Sequence, residues 1–223
     1  MKDRKKLIIA IVAVLIIIVL VGGATFAYWT WVTNTAQQTN VSFVVNQSNL
    51  EGDMYATLEG GNGTTDVTAI KPSTCNGSNA IVKTITIKYL NKTVQAATVS
   101  ATLKVTAFTA RSTSYLPSST NLGYLKYALT TSSSSCTTGV QKSGSFSGLT
   151  FSSTVTPTNL PLTLFTQTFT ASANMSAEGT QTYYLYIWLD SSYEHTNTGS
   201  VNSDPMQGLS FTTQWSGTIA QNS

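Results

Sequence analysis

The chain is poor in charged residues, in histidine and in cysteine, and each shortage removes a class of function. Its 223 residues include two cysteines and one histidine. These are too few for a convincing metal site, and we expect neither a metal nor a cofactor. The single histidine, His195, lies in the polar loop YEHTN, where a solvated side chain is the ordinary interpretation. Hydrolysis by a serine or cysteine nucleophile would therefore have no base other than this loop residue.

Two further patterns give catalysis little support. The segment GSFSG, Gly144–Gly148, resembles a nucleophile elbow, but Phe146 occupies the central position where the serine belongs. A glycosidase site needs two carboxyl groups, one of them with a raised pKa, and the acidic residues lie mostly in loops without a pattern that indicates such a pair. We therefore predict that the protein is not an enzyme and has no catalytic residues.

Charged residues make up 9% of the chain, against about 25% of an average soluble domain. Removal of an N-terminal signal would take away four basic and one acidic residue, which leaves 12 − 4 = 8 basic and 9 − 1 = 8 acidic residues. A formally neutral protein gives no electrostatic support for a nucleic-acid partner. The remaining basic residues lie between Lys71 and Lys142, and the acidic residues lie in Glu51–Asp66 and Glu178–Asp204. Two interpretations of this charge segregation are open: the opposite charges pair within one subunit, or they form complementary faces that meet between subunits.

The N-terminus has the pattern of an export signal. Four basic residues lie within the first six positions, an apolar run extends from Leu7 to Val21, and the small residues GGA follow. This order is typical of a secretory signal peptide, although an apolar stretch read on to Trp29 would also be long enough for a membrane anchor. We predict a signal peptide at residues 1–27, cut near residues 24–27 by signal peptidase, and an extracellular or cell-surface protein.

Residues that favour β-strands are abundant. Serine and threonine contribute 65 of the 223 residues, and aromatic and β-branched residues are too frequent for a disordered chain. Both faces of 180–190 are apolar, so this strand is expected to be central or covered. Alternating apolar and polar residues predict strands at 40–46, 81–90, 93–108, 123–130, 147–155, 162–170, 180–190 and 208–219. We predict an all-β chain with one two-sheet β-sandwich of jelly-roll or Ig-like topology at residues 40–223, after an N-terminal signal or hydrophobic helix.

Two kinds of covalent modification follow from residue types in an exported chain. Cys75 and Cys136 both lie in turn-like segments, and we predict a structural disulfide between two loops. Two free thiols or a bridge between subunits are the alternatives. Candidate N-glycosylation sites are the N-x-S/T sequons at Asn40, Asn46, Asn62, Asn76, Asn91 and Asn174.

Three segments together resemble one family. The string VGGATFAYWTWVTNT is similar to the signal end of the exported TasA/camelysin-like proteins, which carry a Gly-Gly-(Ala/Gly)-Thr-aromatic-Ala string. YYLYIWLD, Tyr183–Asp190, resembles the penultimate strand of that family, and MQGLSFTTQWSG, Met206–Gly217, resembles its last strand. The neutral body, rich in serine and threonine, is closer in character to the archaeal relatives that build bundling pili and thread filaments.

The resemblance implies a subunit that polymerises by donor-strand complementation, in which the N-terminal strand of one copy completes the sheet of the next. Such strands bind by main-chain hydrogen bonds and by alternate side chains in pockets. On one face of the predicted donor strand lie Trp29 and Trp31; the other face carries Phe26, Tyr28, Thr30 and Val32. The polar segment Thr33–Asn40 suits a linker, so donor strand and linker together occupy residues 28–39. A first strand of the chain's own domain and the interfacial end of an uncleaved anchor are the alternatives.

Three hypotheses for function result. The first is a structural subunit of an extracellular filament or biofilm matrix, with identical subunits as head-to-tail partners and with the cell surface or neighbouring filaments as further partners. The second is a membrane-anchored surface β-sandwich domain that binds carbohydrate or protein through exposed tyrosines and tryptophans. The third is a secreted hydrolase. A mature N-terminus between Thr25 and Tyr28 would favour the first.

Overall fold

A computed structural model describes residues 39–43, 54–59, 63–65, 72–193, 204–206 and 208–221. All of them belong to one unit, Ala36–Ser223, and they form strands with a single short helix, α1 (Ser119–Gly123). In chain order the strands are β1 (Thr39–Phe43), β2 (Met54–Glu59), β3 (Gly63–Thr65), β4 (Pro72–Ser73), β5 (Ile81–Asn91), β6 (Ala97–Thr109), β7 (Leu125–Thr130), β8 (Val140–Ser145), β9 (Leu162–Ala171), β10 (Gly179–Asp190) and β11 (Ser210–Gln221). The all-β prediction is confirmed.

The strands form two sheets. The first sheet, sheet A, has the order β3-β1-β11-β6-β9, and the second, sheet B, has the order β2-β5-β10-β7-β8. Neighbours are antiparallel except that β1 runs parallel to β11 and the two-residue β4 runs parallel to the end of β10. Because β1 begins at Thr39, the last residue of the predicted donor-strand and linker range 28–39 belongs to this strand.

The two sheets share one hydrophobic core, to which alternate residues of each long strand contribute. In β6 the buried positions run from Ala97 to Val105 at every second residue, which is the predicted alternation. Trp215 of β11 is buried and packs edge-on against Phe165 of β9, with ring centroids 5.4 Å apart. Leu185 and Ile187 of β10 supply the opposite side of the core.

Strand β10 is central, as its two apolar faces predict. It pairs with β5 on one side and with β7 on the other. Its outward-facing Tyr186 is 2% exposed and packs with Ala128 and Cys136 in a second, smaller apolar cluster. Loops therefore cover the outer face of sheet B at this strand.

The predicted strand at 147–155 is wrong. The neighbouring residues Val140–Ser145 form β8 instead, and the chain then turns, with the Leu149 amide donating to the Phe146 carbonyl at 3.0 Å. Asn159 holds the following loop, because its side chain accepts from the Thr150 amide at 2.9 Å and donates to the Gly148 carbonyl at 2.7 Å. The apolar residues of this segment pack on the core from a loop, which alternation alone does not distinguish from a strand.

Four strands that the alternation did not predict are β2, β3, β4 and β8, and helix α1 was also not predicted. The helix begins with a capping box, in which Ser118 and Asn121 bond each other's main-chain amides. Within the described ranges, no helix has the length and hydropathy that a membrane span requires. The predicted signal peptide at residues 1–27 lies outside the described residues.

Candidate functional site

The functional surfaces that the resemblance implies are sheet edges, because an unpaired edge is a template for another strand. The predicted donor residues Phe26, Tyr28, Trp29, Thr30, Trp31 and Val32 lie outside the described residues. The described part of the chain does contain candidate acceptors, at β9 and at β10.

Strand β9 is one edge of sheet A. It pairs with β6 on one side, and no described strand pairs with its other side. Its sequence LTLFTQTFTA has no charged residue and no proline, and its exposed positions from Thr166 to Thr170 are threonines. Proteins usually protect long edge strands with charges, prolines or coverage. The edge of β9 has neither charged residues nor prolines.

Strand β10 has a second unpaired stretch, although it lies in the middle of sheet B. Its pairing with β5 extends from Gly179 to Ile187, whereas its pairing with β7 begins only at Tyr184. Along Gly179–Tyr183, therefore, no described strand lies on the β7 side. We call this stretch the β10 notch. In a strand, alternate residues direct their amide and carbonyl groups to opposite neighbours, so part of the main chain in the notch has no ladder partner among the described strands.

Strand β9 lies across the core from the notch. Gln167, which is 8% exposed, interacts through its side-chain amide with the hydroxyl of Tyr183. Phe169 packs edge-on against Tyr89, with ring centroids 4.9 Å apart. Tyr89 in turn covers Gly179, its partner in the β5–β10 ladder. The wall of the notch is thus aromatic and amide in character, without a charged group among these residues.

The predicted disulfide between Cys75 and Cys136 is present, with 6.0 Å between the two Cα atoms. It joins the loop that precedes β5 to the loop 131–139 between β7 and β8. A second link runs parallel to it, because the Asn76 side chain accepts from the Cys136 amide at 3.0 Å. The Tyr186 hydroxyl donates to the Ser132 carbonyl at 3.1 Å. Loop 131–139 is therefore held over the outer face of β10.

This loop explains why the notch exists. After Thr130 the chain leaves the line of β7, and the Thr131 amide bonds the Gly139 carbonyl at 3.1 Å, which closes the turn into β8. The Thr130 hydroxyl bonds the Ser132 carbonyl at 2.8 Å and fixes the change of direction. As a result, none of the strands that the structure describes lies beside Gly179–Tyr183 on this side of β10.

The aromatic residues of β10 do not form an exposed binding surface. Tyr186 is 2% exposed, and burial raises the pKa of its hydroxyl. Tyr184 and Trp188 pack against the smaller apolar cluster of Ala128, Cys136 and Tyr186 and are partly buried. Among the described large apolar side chains, the exposed ones are Val82, Val94, Tyr115 and Val140. A platform of tyrosines and tryptophans, as the second hypothesis requires, is not found in the described part of the chain.

The described carboxylates make structural contacts. Asp190 accepts from Lys126 at 2.6 Å, and this ion pair, with bonds from Ser192, lowers the pKa of Asp190 to about 2. Asp204 accepts from the Tyr193 hydroxyl at 2.6 Å. A general acid needs a raised pKa, and the pKa of Asp190 is shifted in the opposite direction. The Lys126–Asp190 pair shows that one link between the segregated charges lies within the subunit.

The remaining candidates for a chemical function are a metal site, His195 and the GSFSG segment. No group of three or more potential metal ligands occurs among the described residues. His195 lies outside them. Phe146, at the centre of the GSFSG segment, is buried in the core and packs against Phe211.

The sequons differ sharply in accessibility. The side chain of Asn91 is fully buried, and its amide donates to the carbonyls of Gln95 at 2.8 Å and Ser172 at 3.1 Å. Both amide hydrogens are thereby used, so a glycan has no place at Asn91 in the folded chain. Asn76 and Asn174 are exposed. Asn40 lies in β1, and Asn46 and Asn62 lie outside the described residues.

The β10 notch is the feature that sequence reasoning did not predict. The only signal for it was the difference in length between the predicted strands 180–190 and 123–130. No family model matches the chain, and no curated protein is significantly similar to it, so the resemblance to TasA/camelysin-like proteins stays a prediction that rests on its three motifs.

Proposed function

We propose that this protein is a structural subunit of an extracellular filament, such as a pilus, thread or biofilm fibre. It polymerises by donor-strand complementation, in which the N-terminal strand of one copy completes a sheet of the next. Its partners are identical subunits joined head to tail, and the cell surface or neighbouring filaments are further partners. The protein carries out no catalysis and binds no nucleic acid.

The observation that carries the proposal is that the described sheets have uncharged edges without a neighbouring strand. These are the outer edge of β9 and the first half of β10. A donated strand would satisfy main-chain groups there and would bury alternate side chains. The segment Tyr28–Val32 has the required alternation and carries no charge.

The remaining parts of the proposal concern export and fold type. Residues 1–27 are a signal peptide that signal peptidase removes near residues 24–27, and the mature protein is extracellular. Residues 40–223 are a single sandwich of jelly-roll or Ig-like type. Because one copy donates a strand and a different surface accepts it, the contact is heterologous and gives open filaments instead of closed rings.

Proline substitution tests strand donation without a change in the domain. Proline has no amide hydrogen and blocks pairing within a ladder. We expect Thr30→Pro to be secreted as a monomer, whereas the matched control Thr35→Pro, in the linker, still forms filaments visible by negative-stain microscopy. Filaments of normal abundance from Thr30→Pro would refute strand donation by this segment.

Sequencing the N-terminus of the native protein separates the filament proposal from a membrane-anchored domain. A start between Thr25 and Tyr28 is expected. Retention of Met1 or Leu7 would contradict the proposal, because the donor segment would then remain joined to an anchor.

A further inference from the structure

We propose that the β10 notch is the acceptor groove and that its occupant is residues Tyr28–Val32 of a second copy of this chain. The inference rests on the proposed function, because it names the acceptor for the same strand exchange. It identifies which of the open edges accepts the donor strand, and it gives a reason why the donor strand cannot come from the same copy.

The first argument is size and chemistry. In the notch, five residues of β10, Gly179–Tyr183, have no described strand on one side. The donor segment Tyr28–Val32 also has five residues, and neither sequence, GTQTY or YWTWV, contains a charge. A strand laid beside β10 would continue the line of β7 and restore the missing half of the ladder.

The second argument is what the donated side chains would meet. One face of the incoming strand would lie toward β9, where Gln167 is nearly buried and Phe169 is half-buried. The amide of Gln167 makes only a long bond of 3.4 Å to the Thr168 carbonyl, besides its interaction with Tyr183. An aromatic residue on the donor would find aromatic neighbours and an amide whose carbonyl oxygen can still accept a hydrogen bond.

The third argument is reach. Strand β1 begins at Thr39, which pairs with Phe211, and Phe211 pairs with Phe108 of β6. The notch lies across from the opposite part of sheet A, where Gln167 of β9 pairs with Ala101 of β6. From Phe108 to Ala101 is about 23 Å along the strand, and the three strand spacings from β1 to β9 span about 14 Å sideways.

These lengths exclude the chain's own segment. The straight path from Thr39 to the near end of the notch combines these two lengths with the separation of about 10 Å between stacked sheets. This path is about 29 Å and passes through the domain, whereas the seven residues from Val32 to Thr39 span about 24 Å at full extension. Even Val32 would not reach the notch of its own copy, and Tyr28 would have to lie still further along it. The occupant must therefore come from another copy, and the contact joins opposite ends of neighbouring subunits.

The disulfide has a positioning role in this arrangement. Cys75 and Cys136 hold loop 131–139 over the outer face of β10, together with the bond from Tyr186 to Ser132. The loop is thereby kept out of the line of β7. The groove is kept open by a covalent bond in each subunit.

Paired cysteines in the exported full-length chain test the assignment. Neighbouring residues on adjacent strands have the Cα separation that a disulfide needs. Thr30→Cys is combined with Thr182→Cys, on the outward face of the notch, or with Gln181→Cys, on its inward face. The control combines Thr30→Cys with Tyr55→Cys in the edge strand β2. Single-cysteine variants report background pairing.

We expect one of the two notch pairs to give a ladder of multimers on a non-reducing gel, which collapses to monomer on reduction, and the β2 pair to give none. A ladder from the β2 pair alone would overturn the notch and leave strand donation standing. Filaments without a ladder from either notch pair would also overturn the notch. If no variant and no parent protein forms filaments, both the notch and the proposed function are wrong.

Discussion

The hydroxyl of Tyr127 in β7 donates a hydrogen bond of 3.0 Å to the main-chain carbonyl of Leu164 in β9. Leu164 lies at the register shift of the β6–β9 ladder, between the partners of Leu103 and Lys104. Tyr127 covers Gly144, its partner in β8, where a Cβ atom would lie 2.5 Å from the phenol oxygen. One side chain thus links the two sheets, and a bulge and a glycine make room for it.

Loss of this hydroxyl should destabilise the domain without disturbing the core. We expect Tyr127→Phe to lower the free energy of unfolding by about 1 kcal/mol, because the Leu164 carbonyl loses its partner. Gly144→Ala should cost more, about 1–3 kcal/mol, since the ring must move. Urea denaturation measures both. Tyr115→Phe, at a residue 38% exposed, is the control and should be neutral. A Tyr127→Phe protein as stable as this control would show that the bond contributes nothing.

The ion pair of Lys126 and Asp190 should give acid-sensitive stability. The Lys126 ammonium, followed by the bonds from Ser192, lowers the pKa of Asp190 from 3.8 to about 2. Because the folded pKa is below the unfolded one, this stabilisation is present above about pH 4 and is lost as the pH falls toward 2. Since Lys126 is 39% exposed, water screens the pair and its contribution is about 1 kcal/mol.

Asp190→Asn tests that window. At pH 7 the variant should be less stable than the parent by about 1 kcal/mol. The difference should shrink to a small fraction of this near pH 2, where Asp190 is protonated in nearly all unfolded chains and in about half of the folded ones. Chemical denaturation at both pH values measures it. A difference of equal size at both pH values would mean that Asp190 stabilises the fold by something other than its charge.

The long strands were predictable because burial imposes a period on their sequences. In β6 every second residue from Ala97 to Val105 is buried, so alternation located it, and its predicted range of 93–108 overlaps the observed Ala97–Thr109. Strand β8 was not predicted, because its residues from Val140 to Gly144 are all exposed and therefore show no alternation of apolar and polar residues. It is a strand because it pairs with β7. An edge strand whose residues are exposed on both faces has no periodic pattern in its sequence.

The candidate site was less predictable than the fold. The disulfide was predictable from residue type and the predicted export signal, because two cysteines allow only one pairing within a chain. The notch depends on where β7 ends relative to β10, and these strands are paired across more than 50 residues, Thr130 with Tyr184. Strand pairing of that kind is a tertiary fact, which local alternation does not encode.

The sequon at Asn91 should be a structural element instead of a glycan site. Its side chain is fully buried, and its carbonyl accepts from both the amide and the hydroxyl of Thr93, at 3.1 and 2.7 Å. We expect Asn91→Ala to lower the free energy of unfolding by about 2–4 kcal/mol, because buried carbonyls lose their donors. Asn76→Gln, at an exposed sequon, is the comparison and should cost less.

Glycopeptide mass spectrometry of the native protein gives a second readout for Asn91. The peptide that contains Asn91 should carry no glycan in folded, secreted material, whichever other sequons are occupied. A glycan found there would mean that the 91–96 turn differs from the one described, since both amide hydrogens of Asn91 are bonded to main-chain carbonyls.

Removal of the disulfide should have two separable effects. The bond joins residues 61 positions apart, and closure of a loop of that length stabilises the folded state by about 4 kcal/mol on the chain-entropy model. We expect Cys75→Ser combined with Cys136→Ser to lose stability of that order. Loop 131–139 should also become more mobile, because the bonds at Asn76 and Tyr186 would then hold it to the outer face of sheet B without the covalent link. Hydrogen exchange of its amides measures the second effect.

The two effects are distinguished by a variant that weakens the loop alone. Tyr186→Phe removes the bond to the Ser132 carbonyl, keeps the ring in the cluster, and should cost about 1 kcal/mol. If the disulfide keeps the notch open, the double serine variant should form fewer filaments than Tyr186→Phe even at a temperature where both are fully folded. Equal filament formation by the two folded variants would assign the disulfide to stability alone, since the notch would then stay open without it.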